Sequence, residues 1–254
     1  MLPDGKRVYF LFPRAPFGSM AEETVVARRN TLSVPEALPD ETAAAMANPG
    51  MASWGALLGR ARFVRGESVL INGATGVAGQ QAVQAAKALG SRRIVVTGRN
   101  SEALADLREL GATDLVVLTP SSEEIKANLQ ASLAGDRPDV VLDYLWGASA
   151  LAILEAFAGN GSETGEAPLR FVQIGSISGE AIALPAHILR SSNLHLLGSG
   201  VGSLSLEEIL CALEAQFQCA ASQGIEIKVN ALPLAKVADA WNTTESGTRT
   251  VLVP

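Results

Sequence analysis

From residue 68 onward the chain alternates between two periods of hydrophobicity. Short runs dominated by Val, Leu and Ile, at 68–72, 93–97, 114–118, 139–142, 170–174 and 194–198, are separated by longer stretches. In those stretches, at 77–89, 101–110, 122–133 and 148–158, apolar and small residues recur at helical spacing. The runs predict strands and the stretches predict helices. Because the runs are nearly continuous in their apolar character, they predict a parallel sheet covered on both faces. Right-handed crossovers then place every strand's carboxyl end on one edge, where such sheets bind ligands. The expected fold class is α/β, a Rossmann-type doubly wound parallel sheet.

The flanks are less regular. Strands are expected at 7–12 and 21–26 around a Pro13/Pro16/Gly18 loop, then a helix over 41–47, broken by Asn48-Pro49-Gly50 before a second helix to residue 58. Past the sheet, Ser205 and Glu208 read as a capping box for a helix over 206–222, with Gly224 where a C-cap is wanted. The chain should then return to its first part, ending in a strand at 250–253, with Trp241 anchoring that return by burial. Residues 160–167 read as a surface insertion.

The candidate chemistry begins at the first strand-to-helix turn, GATGVAG at 73–79. Gly73 ends the strand, Gly76 leaves room for a pyrophosphate to approach the backbone, and Gly79 lets helix and strand pack closely. The amides around Gly76, Val77 and Ala78, beside Thr75, then face an anion at a positively polarised helix end. The other reading of these residues is a tight turn without ligand.

The end of the second strand selects among dinucleotides. An NAD site usually carries Asp or Glu there, whereas this chain has Thr97, Gly98, Arg99 and Asn100. Arg99 suits a phosphate, Thr97 and Asn100 add neutral donors, and no carboxylate repels the extra charge, which points to NADPH. The alternatives are a solvated Arg99 and a helix cap at Asn100 or Ser101. Two further strand ends should face the nicotinamide ribose, one with Asp143, Tyr144 and Trp146 and one with Gly175, Ser176 and Ile177. Tyr144 is expected to stack or hydrogen-bond beside the cofactor, and no residue is assigned as catalytic.

Composition narrows the class without choosing an activity. The chain has 254 residues, of which 48% are hydrophobic, and a net charge of -6, which argues against a nucleic-acid surface. No apolar run is long enough to span a bilayer and no signal segment is evident, so a cytoplasmic protein with no membrane partner is expected. Cys211 and Cys219 fall in one predicted helix and His187 and His195 lie far from them, so no metal site is assigned. Eight residues of helix separate the two cysteines by about 12 Å, too far for a disulfide.

GATGVAGQQAVQAAKALG followed by VVTGRN, then LDYLWG at 142–147 and FVQIGSISG at 171–179, resembles the zinc-independent medium-chain dehydrogenase/reductases, in their quinone oxidoreductase and enoyl reductase branch. GKRVYF, GSMAEETVV and NPGMASWGAL look like the second half of that family's catalytic domain. The resemblance implies a partial GroES-like β-barrel remnant over 1–50, a Rossmann NAD(P)-binding domain over 51–224, and a return to the remnant over 225–254. The strands that open the family's barrel, and often its proton donor, have no counterpart here. In family members the break near Pro49 reaches the nicotinamide, which makes Asn48, Ala52 and Ser53 additional candidates, beside a capping role for Ser53. The implied activity is hydride transfer from NADPH to a small acceptor such as a quinone, enone or aldehyde. The implied assembly is a homodimer through the edge strand at 194–198. A non-catalytic NADPH-binding sensor and an atypical short-chain dehydrogenase-like protein are the other readings, the latter opposed by the 65 or so residues ahead of the strand that leads into the glycine turn.

Overall fold

The computed structural model describes every residue except 3, 134–135, 159–166 and 243–246, which places the expected insertion outside the described residues save for Ala167. Two short antiparallel strands open the chain, β1 (Val8–Phe10) and β2 (Thr31–Ser33). The strand expected at 21–26 does not form. That segment is largely exposed, carries Glu22 and Glu23, and leaves the pairing with β1 to Thr31–Ser33. Arg7 fixes the pair to the next element by donating from one guanidinium nitrogen to the Leu38 carbonyl and to Asp40 Oδ1, both at 2.6 Å.

Asp40 starts α1 (Asp40–Trp54), which runs on through Asn48-Pro49-Gly50 into a π-helical turn at Gly55–Arg60. The expected break at Pro49 is therefore corrected. Proline removes one helical hydrogen bond and crowds the preceding turn. A neighbouring helix steadies that turn: the buried Gln216 amide donates to the Met46 carbonyl at 2.7 Å and occupies the space a Cβ on Gly50 would need.

The main layer follows as β3 (Ser68–Asn72), α2 (Val77–Ala88), β4 (Arg93–Gly98), α3 (Ser101–Leu110), β5 (Asp114–Val117), α4 (Ser122–Leu133), β6 (Val140–Asp143), α5 (Gly147–Ala156), β7 (Leu169–Gln173), the short α6 (Ala186–Ser191) and β8 (Leu194–Gly198). Its six strands are parallel, in the order β5-β4-β3-β6-β7-β8. Crossovers run outward from β3 to β5, and the chain then returns beside β3 and runs outward the other way. The switch point thus lies between β3 and β6, both buried along their whole length. Alternate residues feed two cores: Val69, Ile71 and Val96 pack with Ala82, Val83 and Ala86, and Leu70, Val95 and Val141 pack with Leu129 and Ile153. At the amino edge, Arg93 pairs with Asp114 and Arg170 with Glu67, each at 2.7 Å.

α7 (Leu206–Gln223) begins with the expected Ser205/Glu208 capping box and ends at Gly224, whose φ of 74° is left-handed. It packs on α1 in a third cluster around Met46, Leu213 and Phe217, and Tyr9 of β1 meets Phe217 edge to face with ring centroids 5.7 Å apart. Of the two cysteines it carries, Cys219 is buried and Cys211 exposed. The chain closes with β9 (Lys228–Pro233), α8 (Val237–Trp241) and β10 (Thr248–Val253), the two strands pairing in parallel. Trp241 is 72% exposed, so its expected burial is corrected: α8 has five residues and none of them is buried.

Phe217 is fully buried and joins α7 to α1 and to the β1–β2 pair. Truncating a buried phenylalanine to alanine costs about 3–5 kcal/mol. Phe217→Ala should lower the urea midpoint accordingly, and a loss below about 1 kcal/mol would show that the helix pair is held elsewhere.

Candidate functional site

Polar residues close both central strands at the carboxyl edge. Asn72 and Thr97 are wholly buried, and so is Asp143. Gly73 N–H donates to Thr97 Oγ1 at 3.1 Å, and the Thr97 hydroxyl donates to Asn72 Oδ1 at 2.7 Å. The Asn72 amide donates to Asp143 Oδ1 at 2.8 Å and to Ser149 Oγ at 3.0 Å. Asp143 Oδ1 also accepts from Leu145 N and Trp146 N, both at 3.1 Å, and Oδ2 accepts from Trp146 N at 3.2 Å. Burial raises the Asp143 carboxyl above its ordinary value, against the pull of Asn72 and of the Trp146 and Leu145 amides. Neither Asn72 nor Ser149 was anticipated here. The readable signal is a polar residue ending each of two otherwise apolar strands.

This network holds the glycine turn. The Thr97 carbonyl accepts from Ala74 N at 2.9 Å, so Thr97 fixes two successive amides of the turn. Gly73 has φ +89°, a conformation that side chains other than glycine rarely adopt. A Cβ on Gly79 would lie 2.5 Å from the Ala74 backbone, which is the close helix-to-strand approach the sequence implied. A Cβ on Gly76, in contrast, would meet nothing within 4 Å. Gly76 is the exposed N-cap of α2, no side chain caps that helix, and no acidic residue stands in its first turn. The amides of Val77 and Ala78 therefore lie at an open helix end beside Thr75, suited to a phosphate.

At the end of β4, Gly98 is buried against Thr75 and Leu104, while Arg99 is exposed and makes no hydrogen bond or ion pair with another described residue. Asn100 caps α3, its side chain accepting from Glu102 N at 2.9 Å and Ala103 N at 3.1 Å. The expectation that Thr97 donates to a phosphate is corrected, because its hydroxyl proton is committed to Asn72 inside the sheet. Arg99 is a charged donor left unpaired by the described residues at the end of β4.

The other two strand ends meet each other. Ser178 N donates to the Leu145 carbonyl at 2.9 Å and Gly175 N to the Asp143 carbonyl at 3.1 Å, bringing residues 144–147 and 175–179 together. Trp146 has φ 57° and ψ -155°, a strained conformation for a tryptophan, held by its bonds to Asp143 and by Gly147 against the Ser178 carbonyl. Ser176 lines a cleft of about 430 Å³ with Trp146, Gln173, Glu180 and Leu196, and Ile177 is 86% exposed. The Tyr144 hydroxyl is buried facing Ser53, without a hydrogen bond of good geometry, and burial raises the phenol well above its usual value. That corrects the expected cofactor contact through the hydroxyl. Ser53 does not cap a helix either: it lies inside α1 and donates to the Gly50 carbonyl at 2.8 Å, with Asn48 exposed and Ala52 half-buried on the same helix.

A parallel sheet with an open glycine turn at its switch point defines a Rossmann-type nucleotide-binding domain. The chain belongs to the zinc-binding dehydrogenase family, which matches residues 78–216, more than half of its length. Within that family its likeness is to the zinc-independent, quinone oxidoreductase-like medium-chain enzymes. It is 27% identical over 231 residues to a protein of Emericella nidulans named "Probable NADPH-dependent quinone reductase tdiC", covering 86% of this chain and 63% of that one. The chain thus spans less than two thirds of that relative's length. Two solved structures share the fold. The mycobacterial protein Rv1454c complexed with NADPH has a TM-score of 0.79 at 21% identity, covering 98% of this chain and 76% of that one. A 2-haloacrylate reductase has a TM-score of 0.81 at 20% identity, covering 98% and 77%. Among the described residues no group of three or more His, Cys, Asp and Glu side chains is placed to hold a metal.

The two glycines that differ in surroundings should differ in tolerance. Gly79→Ala places a methyl against backbone and should cost about 1–3 kcal/mol, whereas Gly76→Ala should stay within about 1 kcal/mol of the parent. Chemical denaturation of both variants checks this, and equal costs would show that the close approach at Ala74 relaxes freely.

Proposed function

We propose that this chain binds NADPH and works as a cytoplasmic oxidoreductase, reducing a small electron-poor acceptor such as a quinone, enone or aldehyde. The observation that carries the reading is the open, uncapped helix end at Gly76, with Arg99, which pairs with no other described residue, and no carboxylate at the end of the neighbouring strand β4. Space that a Cβ could fill without touching the protein is what a pyrophosphate needs to approach the backbone. In this reading the Val77 and Ala78 amides receive the pyrophosphate, and the Arg99 guanidinium pairs with the phosphate on the adenosine ribose. Bound NADPH supplies a hydride from its nicotinamide ring. The loops at 144–147 and 175–179 border the nicotinamide end and exclude water from it, the first of them held rigid by Asp143. The names of the relatives support the class: one is called a quinone reductase, another a 2-haloacrylate reductase, and a third was solved with NADPH.

Cofactor choice tests this directly. NADPH should bind more tightly than NADH in a fluorescence titration, and Arg99→Ala should remove most of the difference. A charge-assisted hydrogen bond is worth about 1.5–3 kcal/mol, so the loss should be roughly tenfold to a hundredfold. Equal affinities for the two nucleotides in the parent chain would overturn the assignment of Arg99.

We also propose a homodimer through β8, which pairs on one side with β7 and has no strand partner on its other edge among the described residues. Leu196 on this strand is 38% exposed, and an open apolar edge strand invites pairing with a second copy. In an isologous contact a lysine lies near its own copy, so Leu196→Lys should give a monomer. Light scattering at micromolar concentration checks the proposal, which fails if the parent chain is already monomeric.

A further inference from the structure

The hydrogen bonds at the carboxyl edge form a chain with one direction. Its first link is Gly73 N–H to Thr97 Oγ1, its second Thr97 O–H to Asn72 Oδ1, and its third Asn72 Nδ2–H to Asp143 Oδ1. From the far side, Leu145 N–H and Trp146 N–H converge on the same carboxylate. Each link constrains the next. A carboxylate that only accepts forces the Asn72 amide nitrogen toward it, which turns Asn72 Oδ1 toward Thr97 and leaves Thr97 Oγ1 free to accept from Gly73. Breaking the chain leaves a buried donor or acceptor unpaired, so its members hold one another in place. The chain joins the first residue of the glycine turn to the strained turn at Trp146, across the switch point between β3 and β6.

We infer that Asp143 is a positioning residue of the nucleotide site, which fixes the glycine turn through Asn72 and Thr97 and the 145–146 turn directly. Its effect on affinity rests on the proposed binding of NADPH, but the coupling itself belongs to the protein without ligand. An amide at position 143 presents one accepting oxygen where a carboxylate presents two, and sets its NH₂ donors against the Asn72 amide or the Trp146 N–H. With its nitrogen toward Asn72 the amide turns Asn72 over, so that the Thr97 hydroxyl proton loses its acceptor and competes with the Gly73 N–H. With its nitrogen toward Trp146 it opposes that N–H and leaves Asn72, Leu145 and Trp146 to share one neutral oxygen. Exchanging the two side chains restores the links from Gly73 as far as position 143. A carboxylate at position 72 accepts from Thr97 Oγ1 and from an amide nitrogen at 143, whose oxygen, in the place of Oδ2, still accepts from Trp146. Leu145 N–H, which bonds to the oxygen facing Asn72, does not regain its partner.

The test follows amide hydrogen exchange at Gly73, Leu145 and Trp146 in the ligand-free protein, together with NADPH and NADH titrations. Asp143→Asn should speed exchange at all three amides and weaken both nucleotides about tenfold, leaving their ratio unchanged because Arg99 lies outside the chain. Asn72→Asp combined with Asp143→Asn should restore exchange at Gly73 and bring affinity to within about threefold of the parent, while Leu145 stays fast. Thr97→Val, which keeps the side-chain shape, should release Gly73 alone, and it stands in if Asp143→Asn does not fold. Gly73 exchange unchanged in Asp143→Asn, or no recovery in the exchanged pair, overturns the inference. A parent chain that binds neither nucleotide while the exchange pattern holds overturns the NADPH reading and leaves the coupling standing.

Discussion

A carboxylate buried between two parallel strands governs the geometry of this molecule's carboxyl edge. Taking such a charge out of water is unfavourable unless donors replace its hydration. Asp143 receives the Asn72 amide and two backbone amides that no strand or helix bond would otherwise satisfy. A sheet of this kind separates its chain at the switch point, since the segments leaving β3 and β6 cover opposite faces. The gap that opens there is useful for a ligand and costly for the backbone beside it. The polar bridge from Asn72 to Asp143 keeps the two strand ends in register while the segments that follow diverge.

The rest of the fold arranges its charges and layers around that edge. Arginines at the opposite edge are paired, Arg93 with Asp114 and Arg92 with Asp136, and these partners hold both carboxyls below their usual range. Arg99 at the carboxyl edge makes no such pair with a described residue. α2, which starts at the glycine turn, is fixed at its far side as well. Gln81 and Gln84 both donate to the Glu226 carbonyl, at 2.8 and 2.9 Å, and Gln84 Oε1 accepts from Glu226 N at 2.8 Å. The segment that leads into β9 is therefore tied to the helix whose amino end faces the open site. The small strand pairs at the two ends of the chain share the α1 and α7 side of the molecule.

How much of this is legible in the sequence depends on how local the determinants are. The six sheet strands and α2 to α5 and α7 follow from periodicity, and the Ser205/Glu208 cap from four consecutive positions. Residues 21–26 were misread as a strand because apolar residues there satisfy a propensity while the pairing partner lies at Thr31–Ser33. The continuity of α1 through Pro49 was unreadable for a different reason: the group that steadies it, Gln216, lies 170 residues beyond Met46, whose carbonyl it holds. Thr97 and Tyr144 illustrate the same limit at the site. Their positions at strand ends were legible, but the direction of each hydroxyl, toward Asn72 and toward Ser53, is set by neighbours from other elements.

On the proposed reading, backbone and side chain divide the work of recognition at this site, and the division explains why so short a stretch can specify so much. Amides at a helix end respond to an anion and are indifferent to what lies beyond it, so on the proposed reading the glycine turn provides affinity common to any dinucleotide. Those amides need only space, which Gly76 supplies, and a fixed backbone, which Thr97 and Asn72 supply from beneath. Discrimination then falls to the end of β4, where an exposed side chain can change without disturbing the sheet, because Gly98 and Thr97 before it carry the packing. On that reading affinity rests on a backbone held from beneath by buried residues that cannot vary alone, whereas choice rests on an exposed residue that can.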